Sequence, residues 1–223
     1  MAGLFAGVVI SNIFGFLWLA LSGDLDRPDA LTDAPLEVSA LLQLGLVIGL
    51  LGGPAWATYR KGARSFAVDF GWRFSRRDPL LGLGAGLGTQ IVLIPLIYVP
   101  IFWLVDDDAD LGGPARELAE RAHGVGILLL IVSVVVVAPV AEELFFRGLL
   151  LRALHRRFGS VVAIVGSSAV FGLVHFQLLQ FPALMVVGVV NALLTLRTGR
   201  LGPAVCAHVA FNGAAVAVQF VVT

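Results

Sequence analysis

Blocks of about 20 apolar residues, nearly free of charged side chains, fill most of this chain of 223 residues. An α-helix needs about 20 apolar residues to cross the ~30 Å hydrocarbon core of a bilayer. Overall, 58% of the residues are hydrophobic and 13% are charged, whereas soluble domains average ~45–50% and ~25%. The sequence therefore predicts an all-α, polytopic bundle that forms a single integral membrane domain over residues 1–223. The seven predicted spans are residues 4–21, 38–58, 80–105, 124–151, 161–177, 181–196 and 201–222.

The overall charge and the cysteine content exclude other classes of function. The formal net charge is zero, so the chain has no global positive field, and we expect no nucleic-acid partner. Cys206 is the single cysteine, which excludes an intrachain disulfide and a metal site built from cysteines.

Basic and acidic residues alternate between the loops that separate the blocks. Twelve of the fifteen Lys and Arg residues fall in or beside the second, fourth and sixth loops. The other loops hold three basic residues and eleven of the fifteen acidic ones. Because cytoplasmic loops of membrane proteins are enriched in Lys and Arg, we predict a multi-pass protein of the cell membrane, with a cytoplasmic N-terminus and an external C-terminus.

Glu142 and Glu143 are the acidic residues that remain inside a predicted span. A carboxylate in the hydrocarbon region is costly and is a functional candidate by default. Pro139 lies just before them, and proline kinks a helix and frees a backbone carbonyl. Irregular backbone at membrane depth is tolerated where it is buried in protein or lines a watery cavity. This stretch therefore predicts a functional site.

Three pairs of side chains are spaced four residues apart, which places each pair on one helix face. They are Glu143 with Arg147, Phe171 with His175, and His208 with Asn212. Each pair also has a structural interpretation, because Glu143 and Arg147 can form an ion pair and a membrane histidine can join two helices by a modest hydrogen bond. Asn191, in the sixth block, is interpreted as a helix-packing residue.

Depth along the helices brings these polar residues together. Gly159 marks the turn between the fourth and fifth blocks, and Glu143 and His175 each lie sixteen residues from it. In an antiparallel hairpin such residues sit at the same level, because every helical residue rises 1.5 Å. His208 lies about 10 Å inside the last block from the same side, and Asn212 is one turn deeper. We predict one cluster in the cytoplasmic half of the membrane.

Activation of a water molecule is the chemistry that this cluster allows. Serine and cysteine are weakly supported as nucleophiles, because none lies near the glutamates at a suitable depth. Glutamate with two histidines can activate water through a divalent metal or by general base catalysis alone. An asparagine amide beside an imidazole can donate to an oxyanion. The chain lacks the His-Glu-x-x-His signature of zinc proteases. The candidate ligands of a divalent metal such as zinc are Glu142, His175 and His208.

Taken in order, the motifs resemble those of the CAAX protease and bacteriocin-processing (CPBP, or Abi) family, which includes the eukaryotic type II CAAX prenyl endopeptidase. The resemblance covers residues 124–213, and the stretch 197–201 before the last motif is also similar. The three motifs are Glu142-Glu143-x-x-x-Arg147, Phe171-x-x-x-His175 and His208-x-x-x-Asn212.

The resemblance implies an all-helical intramembrane endopeptidase with residues 124–213 as its catalytic core. It implies that Glu142 is the essential glutamate and that His175 helps it to activate water. His208 and Asn212 would bind the oxyanion or a metal, and the resemblance leaves the participation of zinc open. The residues with a supporting role would be Glu143, Arg147 and Phe171.

Two other functions stay open. A non-catalytic scaffold or a bacteriocin self-immunity protein on the same fold would not require all four candidate catalytic residues. A small transporter could use the acids and histidines as a proton relay, and an inverted repeat would favour it, but the sequence shows no repeat. For the enzyme, we expect two partners: a peptide or membrane-protein substrate, and the lipid bilayer.

Overall fold

The computed structural model describes residues 2–27, 30–31, 34–103 and 112–222. Within these ranges the chain forms helices and their connections, and it contains no β-strand. The predicted all-α bundle is therefore confirmed. The helices are α1 Ala2–Ser22, α2 Leu36–Lys61, α3 Phe66–Asp69, α4 Asp78–Gly88, α5 Ile94–Phe102, α6 Gly113–Arg121, α7 Val125–Leu130, α8 Ala138–Glu143, α9 Leu151–Leu173, α10 Phe181–Thr198 and α11 Gly202–Val222.

Three segments of wider, π-helical geometry join consecutive helices. They are π1 Thr89–Leu93, π2 Ile131–Val137 and π3 Leu144–Leu150. Such segments occur mostly as short bulges within α-helices and are frequent at functional sites. Here π2 and π3 flank α8, the six-residue helix that carries both membrane glutamates.

Five helical segments of the described chain are long and apolar enough to cross a membrane. This confirms a multi-pass membrane protein, while the count of seven spans stays a prediction. The segment Val125–Leu173 is 49 residues long, about twice the length that one crossing needs. Gly159 breaks it with a φ of 81° and a ψ of 179°, a conformation that glycine adopts without steric cost. Its two arms pack against each other, since the Phe146 and Phe171 rings lie 5.2 Å apart.

The basic connections meet at one end of the bundle. Arg200, in the connection before α11, donates to Asp78 at the start of α4, with an N···O distance of 2.6 Å. Arg152, near the start of α9, donates to the carbonyl oxygen of Gly199 at 2.9 Å. The second, fourth and sixth loops therefore lie together, as their shared charge predicts.

The other connections meet at the opposite end. The Tyr98 hydroxyl of α5 donates to the carbonyl oxygen of Leu179 before α10, at 2.6 Å. Arg121 at the end of α6 donates to the carbonyl oxygen of Ala34 before α2. Part of the acidic third loop, residues 104–111, lies outside the described residues. Which end of the bundle faces the cytoplasm stays a prediction.

Close packing of glycines joins α1 to α2. A Cβ atom added at Gly49 would lie 2.3 Å from the Cα of Gly7. Lipid tails supply no hydrophobic drive for helix association, so small residues that let backbones approach are favoured at such contacts. The paired helices cover one side of α8 and π3.

A buried apolar cluster lies beside the membrane glutamates and connects α2, α8, π3, α9 and α10. Its buried members are Val47, Leu50, Ala141, Phe145, Phe146, Phe171 and Val187. Four elements thus hold the short helix α8 at a defined place in the bundle.

Cysteine labelling of exposed positions tests the orientation. In a Cys206→Ser background, we expect Arg76→Cys to react with a membrane-impermeant maleimide only after permeabilisation, because Arg76 lies in the basic second loop. Glu117→Cys, in α6 at the opposite end, should react in intact cells. Both side chains are exposed, so accessibility does not bias the comparison. The reverse labelling pattern would show the inverted topology.

Candidate active site

Glu143 is the centre of the polar cluster and is fully buried. Its Oε1 atom accepts hydrogen bonds from Asn191 Nδ2 at 2.9 Å and from His208 Nδ1 at 2.8 Å. The same oxygen lies 3.2 Å from a guanidinium nitrogen of Arg147. One carboxylate oxygen therefore joins α8 to π3, α10 and α11.

Arg147 forms the ion pair with Glu143 that the four-residue spacing predicts, and it too is fully buried. Its guanidinium lies over the ring of Phe171, 4.5 Å from the centroid, where the aromatic face attracts a cation. Breaking a buried pair by removing one partner strands the other charge in a poorly solvated place. Replacing either Glu143 or Arg147 alone should therefore destabilise the fold.

His208 bridges the two glutamates. Glu143 accepts a hydrogen bond from Nδ1, so this nitrogen carries a proton, and Nε2 points the other way, 3.6 Å from Glu142 Oε2. A carboxylate behind a histidine sets both the tautomer and the ring orientation. Glu143 thus presents the Nε2 atom of His208 to Glu142.

Glu142 and His175 face a common cavity of about 500 Å³. The Glu142 side chain is 18% exposed, in contrast to its fully buried neighbour. His175 donates from Nδ1 to the carbonyl oxygen of Phe171 at 2.7 Å, which leaves Nε2 as the acceptor nitrogen of its neutral ring. Residues of α1 and α2, among them Val8, Leu46 and Leu50, complete an apolar wall.

Phe171 packs against both imidazoles. Its ring centroid lies 4.9 Å from that of His175 and 5.6 Å from that of His208, edge to face in both cases. Such T-shaped contacts are favourable and hold rings at defined angles. The supporting residue predicted from the motif thus packs against both histidines.

Asn212 lies one turn after His208 on α11. Its side-chain Nδ2 donates to the carbonyl oxygen of Val134 in π2 at 2.9 Å. An α-helical carbonyl is normally used by the backbone, whereas π-helical segments alter that pattern. The amide is therefore held in place by the segment that leads into α8.

Comparison with known families agrees with this geometry. Residues 124–214 match the family described as type II CAAX prenyl endopeptidase Rce1-like. This part of the chain is similar to the Rce1-like family. The resemblance predicted from the three motifs is thereby confirmed, and the family implies an intramembrane protease. No curated protein and no solved structure matches the chain.

The described part of the chain contains no group of side chains that is arranged to hold a metal ion. No three His, Cys, Asp or Glu side chains there are grouped so that they could hold one ion. The proposed ligands Glu142 and His208 lie 3.6 Å apart, and the ring of Phe171 packs against both His208 and His175. Zinc would require these side chains to rearrange.

Asn191 of the Rce1-like segment has a role that sequence reasoning missed. It was interpreted as a packing residue, yet it donates directly to Glu143. A depth argument could have found it, because Asn191 and His208 lie eight and nine residues from the turn at Gly199. This is the same symmetry that relates Glu143 and His175 about Gly159.

Replacement of Glu143 should destabilise the fold. In Glu143→Gln the buried Arg147 loses its counter-charge, and we expect a loss of about 3–5 kcal/mol in the free energy of unfolding. Unfolding by denaturant in detergent micelles measures the change. Glu142→Gln is the matched control, since the same substitution one residue earlier touches a partly exposed carboxylate and should leave stability nearly unchanged. Equal stability of the two variants would contradict the role assigned to Glu143.

Proposed function

We propose that the protein is an intramembrane endopeptidase in which Glu142 activates the attacking water. The supporting observation is the division between the two glutamates. Glu143 is fully buried and bonded to three side chains of the bundle, whereas Glu142 faces a cavity together with His175. One carboxylate is committed to structure and the other is free to act on a substrate.

In the first step, a water molecule lies between Glu142 and His175. One water O–H donates to Nε2 of His175, which accepts because Nδ1 holds the proton of that ring. The other O–H is directed at the Glu142 carboxylate. Glu142 takes this proton as the water oxygen attacks the carbonyl carbon of the scissile peptide, which is general base catalysis.

In the second step, His208 and Asn212 stabilise the oxyanion of the tetrahedral intermediate. His208 donates from Nε2, the ring nitrogen that lies 3.6 Å from Glu142, while Nδ1 is hydrogen-bonded to Glu143. The Asn212 amide, oriented by Val134, supplies an uncharged donor. Donors that are already in place cost no reorganisation during the reaction.

In the last step, the carbon–nitrogen bond breaks and Glu142 returns its proton to the leaving amine. A water molecule has then been added across the peptide bond, and the carboxylate is restored for another cycle. The proton that Glu142 takes from the water is therefore the proton that it returns to the amine.

The cavity favours a substrate that approaches from the membrane. Its wall includes Leu4 and Val8 of α1 and Val47 of α2, so an apolar peptide segment could lie beside Glu142 without losing favourable burial. The polar side chains of Asn12 and Gln43 also line it and can meet the peptide backbone. The substrate class that we propose is a peptide or membrane-protein segment with apolar flanks.

Loss of the Glu142 carboxylate should abolish turnover. We expect Glu142→Gln to show no cleavage of a peptide library that the wild type cleaves, because an amide cannot take the proton of water. The variant should still insert and fold. The control Glu117→Gln removes an exposed carboxylate in α6 and should retain full activity. Full activity of Glu142→Gln on an authentic substrate would refute the mechanism and favour the scaffold or transporter function.

Loss of the Asn212 amide should be partial. One oxyanion donor contributes on the order of 10²–10³ in rate, so Asn212→Ala should lose that factor in kcat while KM changes little. Steady-state kinetics on the same peptide provides the measurement. A change confined to KM would assign Asn212 to ground-state substrate binding instead.

A further inference from the structure

A second apolar groove borders π3, shares no lining residue with the reaction cavity and is not used by the proposed mechanism. Its volume is about 620 Å³. From α1 it is lined by Ala2, Gly3, Ala6 and Ile10, from α2 by Ile48, Gly49, Gly52, Gly53, Trp56, Ala57 and Lys61, and from π3 by Phe145 and Leu149.

The groove runs along α2 from Lys61 to Ile48. Position 61 lies thirteen residues after position 48, a helical rise of about 20 Å, which is about two-thirds of the ~30 Å hydrocarbon core. Its middle is open, since a Cβ atom added at Gly52 would meet no atom within 4 Å. The groove therefore has the length and the apolar wall that suit a lipid acyl chain.

Lys61 supplies the only charged side chain among the residues that line this groove. Its ammonium group lies 5.8 Å from the ring centroid of Trp56, and Lys61 has no carboxylate partner in the described part of the chain. The acid nearest in the sequence, Asp69, instead accepts hydrogen bonds from Thr58 and from the backbone of Ala63. One end of the groove thus carries an uncompensated positive charge.

Position along the membrane normal explains this charge. Lys61 ends α2 and begins the basic second loop, and tryptophan side chains such as Trp56 concentrate at the headgroup level of membranes. Basic pockets beside membrane helices bind anionic headgroups, with about 1 kcal/mol for each Lys or Arg near the surface. The charge of Lys61 therefore suits an anionic headgroup, and the apolar wall of the groove suits the acyl chain of the same lipid.

We propose that this groove binds one anionic phospholipid, with an acyl chain between α1 and α2 and the phosphate on Lys61. The lipid would also cover Phe145, whose ring packs on Phe146 at 5.2 Å, two residues from Glu143. The proposal does not depend on peptidase activity.

Native mass spectrometry of the delipidated full chain tests the site. Phosphatidylglycerol and phosphatidylcholine with identical acyl chains are the probes. We expect one phosphatidylglycerol to be retained in preference to phosphatidylcholine, and excess inorganic phosphate to leave it bound, because the acyl chain contributes to binding. Lys61→Gln should weaken retention about fivefold.

Two further variants separate the site from general electrostatics. Arg60→Gln removes the same charge from the neighbouring exposed position, which does not line the groove, and should leave retention unchanged. Gly52→Leu fills the groove without altering charge and should abolish the bound lipid. If Gly52→Leu lowers the unfolding temperature of the lipid-free chain, a loss of lipid in that variant no longer reports on the groove. The comparison of Lys61→Gln with Arg60→Gln then tests the proposal by itself.

Three results would overturn the proposal. Equal retention of the two lipids would show that the protein does not recognise the headgroup. Equal losses in Lys61→Gln and Arg60→Gln would reduce the effect to the overall charge of the second loop. A dimer of the chain that dissociates in Gly52→Leu would show that the groove is occupied by a second copy.

Discussion

The buried pair of Glu143 and Arg147 is the interaction on which the rest of the site depends. Two opposite charges in the middle of an apolar bundle are costly unless they are paired. Glu143 meets this condition through Arg147 together with Asn191 and His208. The requirement to satisfy one carboxylate thereby brings α8, π3, α10 and α11 together, and it orients the imidazole of His208 towards Glu142.

Placement of the second glutamate follows from the first. Adjacent residues on a helix point about 100° apart, so with Glu143 directed into the bundle, Glu142 is directed elsewhere. It reaches the cavity that it shares with His175. Phe171 completes the arrangement, because its ring lies against both imidazoles and against the Arg147 guanidinium. Glu143, which holds the bundle together, and Glu142, which faces the cavity, are thus neighbours in the sequence.

Local patterns in the sequence predicted much of this arrangement. The four-residue spacing indicated the ion pair of Arg147, and symmetry about Gly159 indicated that the two arms of the hairpin lie side by side. Asn191 was interpreted as a packing residue, and its partner Glu143 could not be named because a single polar residue in an apolar helix has no partner until the neighbouring helix is placed. The candidate metal ligands illustrate the same limit, since only the packed structure shows that Phe171 lies against both His175 and His208.

The sequence by itself determined the all-helical membrane bundle, the grouping of the basic loops at one end and the motifs of the Rce1-like segment. These follow from one-dimensional quantities: the lengths of the apolar blocks, the order of charges and the spacing of residues along a helix. Tertiary structure alone decided which glutamate is buried and which faces a cavity, and it created the groove that ends at Lys61. Those features depend on the rotation of each helix about its axis and on contacts between distant segments, which residue spacing does not specify.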